Sequence, residues 1–146
     1  MESTPIYTLR KLQSDIPQIR ITSSKSASEF IRQFYCDDIG IFESMVLVTL
    51  NNDNQTTGFM KISQGGITGT VVDIRILAKY AIDNLATGII LAHNHPSGKL
   101  QASDADKQIT KKIQEAMKLF DVQVLDHIIL TEDGYLSFQD EGIMPM

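Results

Sequence analysis

An α/β sandwich with a mixed sheet covered on both faces is the fold class this sequence predicts. Two observations carry it. Runs rich in branched apolar residues at Ser44 to Leu50, Gly88 to Ala92 and Val122 to Leu130 have the composition of buried strands. Between them lie two stretches with apolar residues at helical spacing, Ile74 to Leu85 and Ile109 to Phe120. The chain has 146 residues, 42% of them apolar, which suits one domain able to bury a core without disulfides.

Residues 1–18 are polar and interrupted by Pro5 and Pro17, so a loosely attached arm or edge strand is expected, with Tyr7-Thr8-Leu9 its extended piece. The domain proper then runs over residues 19–146. Ile19 to Ile21 suggests a brief strand, and Ser26-x-x-Glu29 a capping box that opens a helix through about Asp37. Phe30, Ile31 and Phe34 form its apolar face, and Gly40 ends the connection to the strand at Ser44. Asn51 to Asn54 is a turn, and Thr56 to Ser63 the hairpin partner.

Gly65, Gly66 and Gly69 mark a bend or tight crossing; the other reading is a groove that accepts an extended peptide by strand addition. From Asp73, the residues Ile74, Leu77, Ala78, Ala81, Ile82 and Leu85 line one helical face, with Gly88 near the helix end. Ile109, Ile113, Ala116, Met117 and Phe120 are likewise core residues of a helix. Val122 to Leu130 is a strand, Glu132-Asp133-Gly134 a turn, and Tyr135 to Phe138 a last strand.

The chemistry centres on Leu91 to Asp106. Two histidines, His93 and His95, stand one residue apart where the buried run opens into a loop, so both can turn toward one point. Asp106, at the start of the next helix, can meet them. Two imidazoles and a carboxylate are the ligands of a catalytic zinc site that keeps its fourth position for water. The same residues have a second reading. Ser103-x-x-Asp106 is also a helix cap, and His-x-His before Pro96-Ser97-Gly98 is also an ordinary polar turn.

Here the sequence resembles a known family. His93-x-His95, seven intervening residues and Ser103-x-x-Asp106 resemble the JAMM motif of the MPN metallopeptidases, and His93-Asn94-His95-Pro96-Ser97-Gly98 looks like its RadC-type version. The likeness continues through Leu125 to Ile129 and Gly134 to Phe138 as far as Glu141-Gly142. It implies a three-layer α/β/α sandwich of JAB/MPN architecture, similar to that of the cytidine deaminases. It also implies Zn²⁺ as cofactor on His93, His95 and Asp106, and hydrolysis of a peptide or isopeptide bond in a protein or peptide substrate. The metal would bring the pKa of its water to about 7 and polarise the scissile carbonyl.

A carboxylate must still move the proton. The family places a glutamate at the start of the strand after the first helix, a position that Glu43 matches. Its other reading is a solvated strand-end glutamate. Many RadC-type sequences carry a further acidic residue just before the glycines; Lys61 stands there in this chain, a departure that bears on which carboxylate acts. Ser103 is carried over as a hydroxyl for the oxyanion. His127 is shared with the RadC pattern and is expected to be a hydrogen-bonded structural histidine outside the metal site. Orienting a ligating imidazole is its alternative role.

Other classes fit less well. The net charge of −5 disfavours a phosphate-backbone binder, and Lys107, Lys111, Lys112 and Lys118 are expected to be a solvated helix face. Full-length RadC proteins carry a helix-hairpin-helix region and a name tied to DNA repair; no such hairpin stands ahead of this domain, so that activity is not carried over. There is no His-Glu-x-x-His and no Pro-Cys-x-x-Cys, which removes the zincins and zinc deaminases. The single cysteine, Cys36, excludes an internal disulfide, and no run approaches the roughly 20 apolar residues of a membrane span. A cytoplasmic protein is expected, with its oligomeric state left open. The competing function is a non-catalytic interaction module whose metal holds the loop together.

Overall fold

In the computed structural model, which describes residues 1–8, 10–65 and 72–145, strand β1 (Ser44–Leu50) is buried along its whole length and paired on both sides. Strands β2 (Thr56–Gln64) and β3 (Gly88–Asn94) flank it, both antiparallel. β3 runs parallel to β4 (Gln123–Leu130), and β4 takes the short β5 (Tyr135–Ser137) antiparallel on its outer side. The order is β2-β1-β3-β4-β5, the mixed sheet that the sequence predicts. Helix α1 (Ser24–Arg32) covers one face, and α2 (Ile74–Asp83) with α3 (Asp104–Lys118) covers the other.

Because successive strand residues point to opposite faces, the two central strands feed both cores at once. Met45, Leu47, Ile89 and Leu91 pack under α2 and α3 with Leu77, Ile113 and Met117. Val46, Val48, Ile90 and Ala92 pack under α1 with Ala27, Phe30 and Ile31. Continued along β3, this parity directs His93 toward α3 and Asn94 toward α1.

Several local expectations are corrected. The first capping box is Ser23 with Ser26, one turn earlier than Ser26 with Glu29, because the two serine side chains accept reciprocally from each other's backbone N–H at 3.2 and 3.0 Å. That helix stops at Arg32, where the Gln33 side chain donates to the Phe30 carbonyl, and a separate 3₁₀ turn at Asp37–Gly40 follows, with exposed Cys36 before it. Gly88 does not terminate α2. Leu85 takes the left-handed conformation there, φ 56°, and its side chain is exposed, while Gly88 opens β3. Ile82, at the last turn of that helix, is also exposed.

Phe120 lies beyond the end of α3 and is 51% exposed, so it is not core, whereas Met117 is fully buried. Lys107, Lys111, Lys112 and Lys118 are exposed, the solvated face expected of α3. Ile19 to Ile21 contributes one bridge, Arg20 to Gln55. Tyr7 and Thr8 are exposed and outside any strand; Leu9, and the proposed bend at Gly66 and Gly69, lie outside the described residues. No helix among the described residues is long and apolar enough to cross a membrane.

The contrast at the end of α3 is measurable. Met117→Ala is expected to lower the unfolding free energy by about 2–5 kcal/mol in urea titrations, by removing a methionine that fills the core. Phe120→Ala is expected to change it by less than about 0.5 kcal/mol.

Candidate metal centre

The site forms where the end of β3 meets the start of β1 and the N-terminus of α3. Antiparallel pairing sets Met45 opposite His93, and Glu43 and His95 follow just beyond this last pair. Parity turns the imidazole of His93 toward α3, whose first turn brings in Asp106. His93 Nε2 lies 2.8 Å from His95 Nε2 and 3.2 Å from Asp106 Oδ1, and His95 Nε2 lies 3.4 Å from Asp106 Oδ2. The structure therefore gathers His93, His95 and Asp106 at one point. Glu43 joins them at slightly longer range, its Oε1 3.9 Å from His95 Nε2.

Asp106 is held there by the helix cap. Its Oδ2 accepts from the Ser103 N–H at 2.8 Å, and its own N–H donates to Ser103 Oγ at 3.0 Å. The cap therefore holds this carboxylate beside the two imidazoles. Ser103 is the exposed N-cap residue itself, next to the cluster through Asp106.

The donor set fits a metal ion. His95 Nδ1 lies 2.8 Å from the Lys99 carbonyl, which can only accept, so the ring proton sits on Nδ1 and neutral His95 turns a bare Nε2 inward. Around it stand a second imidazole nitrogen and a carboxylate, all of them able to ligate. Ligands about 2.0–2.1 Å from a tetrahedral zinc lie about 3.3 Å apart, close to the separations found between these three residues. The ligand atoms of Glu43, His93 and His95 also lie within 4.8 Å of one another, so either carboxylate can complete a three-residue set.

The electrostatics agree. The hydrogen bond to Asp106 raises the pKa of His95 above its usual value against the opposing effect of burial. Burial pushes the Asp106 carboxyl up, but bonds from His93 and His95 outweigh it and hold it well below the ordinary carboxylate range. This is a place that draws positive charge.

Three residues that the motif does not assign to the site support it. Asn94, fully buried between the two histidines, points to the α1 side: its Oδ1 accepts from the Ser44 N–H at 2.8 Å, and its Nδ2 donates to the Ile39 and Phe42 carbonyls, each at 2.7 Å. Tyr35 donates to the Ser44 carbonyl at 2.9 Å, and burial pushes its phenol well above the usual range. Both backbone groups of the residue after Glu43 are thereby fixed. His127 is outside the cluster, yet its Nε2 lies 2.7 Å from Nδ1 of His93, so it holds a candidate ligand. Its ring is fully buried and stacked on Phe138, with centroids 4.5 Å apart; burial, then His93, hold its pKa well below the usual value.

Comparison with known proteins agrees with this geometry. The model of the RadC-like JAB domain family matches residues 21–143. A UPF0758 protein of Flavobacterium johnsoniae is 50% identical over 135 residues, covering 92% of this chain and 58% of its own length. One from Porphyromonas gingivalis is 38% identical over 125 residues, 85% of this chain and 54% of that protein. UPF0758 protein NMB1038 of Neisseria meningitidis serogroup B is 38% identical over 103 residues, 70% and 46% respectively. The chain belongs to the RadC-like JAB domain family, and it spans about half the length of these curated relatives.

Two outcomes follow for the support of Glu43. Asn94→Ala is expected to cost about 3 kcal/mol in urea unfolding, since it leaves one N–H and two carbonyls without their buried partner. Tyr35→Phe is expected to cost about 1 kcal/mol near neutral pH. The folded pKa of Tyr35 is raised, so its stabilising contribution is full below the unfolded value of about 10 and is lost as pH rises further. The gap between wild type and Tyr35→Phe should close as unfolding is followed above pH of about 10.

Proposed function

We propose that this RadC-like JAB domain is a zinc-dependent hydrolase that cleaves a peptide or isopeptide bond in a protein or peptide substrate. The observation that carries the reading is a second carboxylate beside the ligand cluster. Asp106 approaches both histidines at 3.2 and 3.4 Å, while Glu43 stands off at 3.9 Å from His95. One acid is close enough to share a cation with the imidazoles. The other stands further out, a separation that supports its acting as general base on a water between it and the ion.

In this reading His93, His95 and Asp106 hold the ion. Bound Zn²⁺ supplies a Lewis acid for the scissile carbonyl and lowers the pKa of water to about 7. Glu43 takes a proton from the attacking water as its oxygen bonds to the carbonyl carbon, then delivers it to the amine as the C–N bond breaks. Ser103 Oγ already accepts the Asp106 N–H, a bond that leaves its own proton for donation to the carbonyl oxygen as negative charge develops. Asn94 and Tyr35 hold the backbone of Ser44, next to Glu43. One exposed cysteine suits a reducing cytoplasm, where we place the protein.

Untagged wild type, His95→Ala and Asp106→Ala are to be analysed for bound metal. About one zinc per chain in the wild type, lost in both variants, is the expected result. Glu43→Gln should keep its zinc and lose about 10²–10⁴-fold in cleavage of a peptide library. A wild type that takes up no zinc would overturn the hydrolase reading. Zinc binding without cleavage in any variant would instead favour a metal-stabilised interaction module.

A further inference from the structure

We infer that Thr110 is a positioning residue that, through His127, selects the tautomer of His93 able to bind metal. The inference rests on the metal reading above and adds a residue that the motif does not contain. Thr110 lies one turn after Asp106 on α3 and is completely buried. Its hydroxyl is 2.7 Å from the Asp106 carbonyl and 2.5 Å from Nδ1 of His127.

Three neutral imidazoles and one hydroxyl supply four protons to the five contacts between the Lys99 and Asp106 carbonyls; with the His93–His95 contact left to the ion of the metal reading, the direction of the other bonds follows from counting. A carbonyl can only accept, so Thr110 spends its one hydroxyl proton on the Asp106 carbonyl, the usual back-bond of a helical threonine. Its oxygen must then accept from His127, which puts the His127 proton on Nδ1. A neutral imidazole has one N–H, so Nε2 of His127 is bare and accepts from Nδ1 of His93, 2.7 Å away. His93 in turn has its proton on Nδ1. Its Nε2, the atom facing His95 and Asp106, is then bare like His95 Nε2 2.8 Å away, and the two lone pairs converge where the metal reading puts the ion.

The reverse chain has a different consequence. If His127 carried its proton on Nε2, His93 Nδ1 would be the acceptor and His93 Nε2 would point an N–H into the cluster, where it cannot ligate. Thr110 would then have to give its proton to His127 and release the Asp106 carbonyl. A hydroxyl at 110 therefore sets one ligand while it is anchored to the backbone of another. Valine has the same shape but neither donates nor accepts, and serine retains both abilities.

The test uses protein with ¹⁵N-labelled histidine, freed of metal at pH of about 8, and long-range ¹H–¹⁵N spectra that distinguish protonated from bare ring nitrogens. Wild type is expected to show His127 and His93 both protonated at Nδ1 and bare at Nε2. Thr110→Val should mix or reverse these tautomers and weaken zinc binding, measured against a competing chelator, by about 10–100-fold. Thr110→Ser should restore both. A wild type with His93 protonated at Nε2 would overturn the proposal even if no variant could be purified, as would a valine variant with wild-type tautomers and wild-type affinity. If the tautomers behave as expected but wild type binds no zinc, the metal reading fails and the selection by Thr110 stands.

Discussion

Everything at the candidate metal centre depends on the two-residue period of β3. Side chains along a strand alternate between faces, and here the alternation continues without a break from the core into the site. Leu91 packs under α3, Ala92 under α1; one step on, His93 faces α3 and Asn94 faces α1. The candidate ligand and the buried clamp are neighbours in sequence that act on opposite sides of one sheet. A single-residue slip would exchange them, leaving an imidazole among the carbonyls of residues 39 and 42 and an amide beside Asp106.

The second dependence is between strands. Among the described residues no hydrogen bond holds the Glu43 carboxylate, which only approaches His95 at 3.9 Å; its backbone is what is held. Asn94 and Tyr35 hold the N–H and carbonyl of Ser44, and the Gly65 N–H donates to the Glu43 carbonyl at 2.8 Å. Buried polar groups with every partner supplied confer rigidity of this kind, at high cost if one is removed. The backbone around Glu43 is thus held although its side chain is not.

Much of this was legible in the sequence. Apolar runs gave the central strands because burial on both faces demands them, and His-x-His followed by Ser-x-x-Asp marked the cluster because both halves are local patterns. Contacts across the fold were less accessible. Asn94 was visible as a letter between two histidines, but its partners are about 50 residues away in sequence and depend on the β1–β3 register, which periodicity does not state. Thr110 carries a signal in hindsight, a polar residue on the buried stripe of α3 one turn from Asp106. His127 needed the parallel pairing of β3 and β4 to bring it against His93. The errors at Phe120 and Leu85 have one cause: helical spacing was extended past the point where the helix stops, and beyond it the same apolar residues face solvent, whereas Ile82 lies within the last turn of α2 on its exposed side.

The capping box at Ser103 and Asp106 has a consequence for how an ion would bind. In small zinc modules the ligands come together when the ion arrives, and folding and loading are one event. Here a helix cap already fixes the carboxylate and a buried hydrogen-bond chain already fixes one imidazole. The cluster is arranged by hydrogen bonds of the chain itself, so an ion bound there would not have to bring its side chains together.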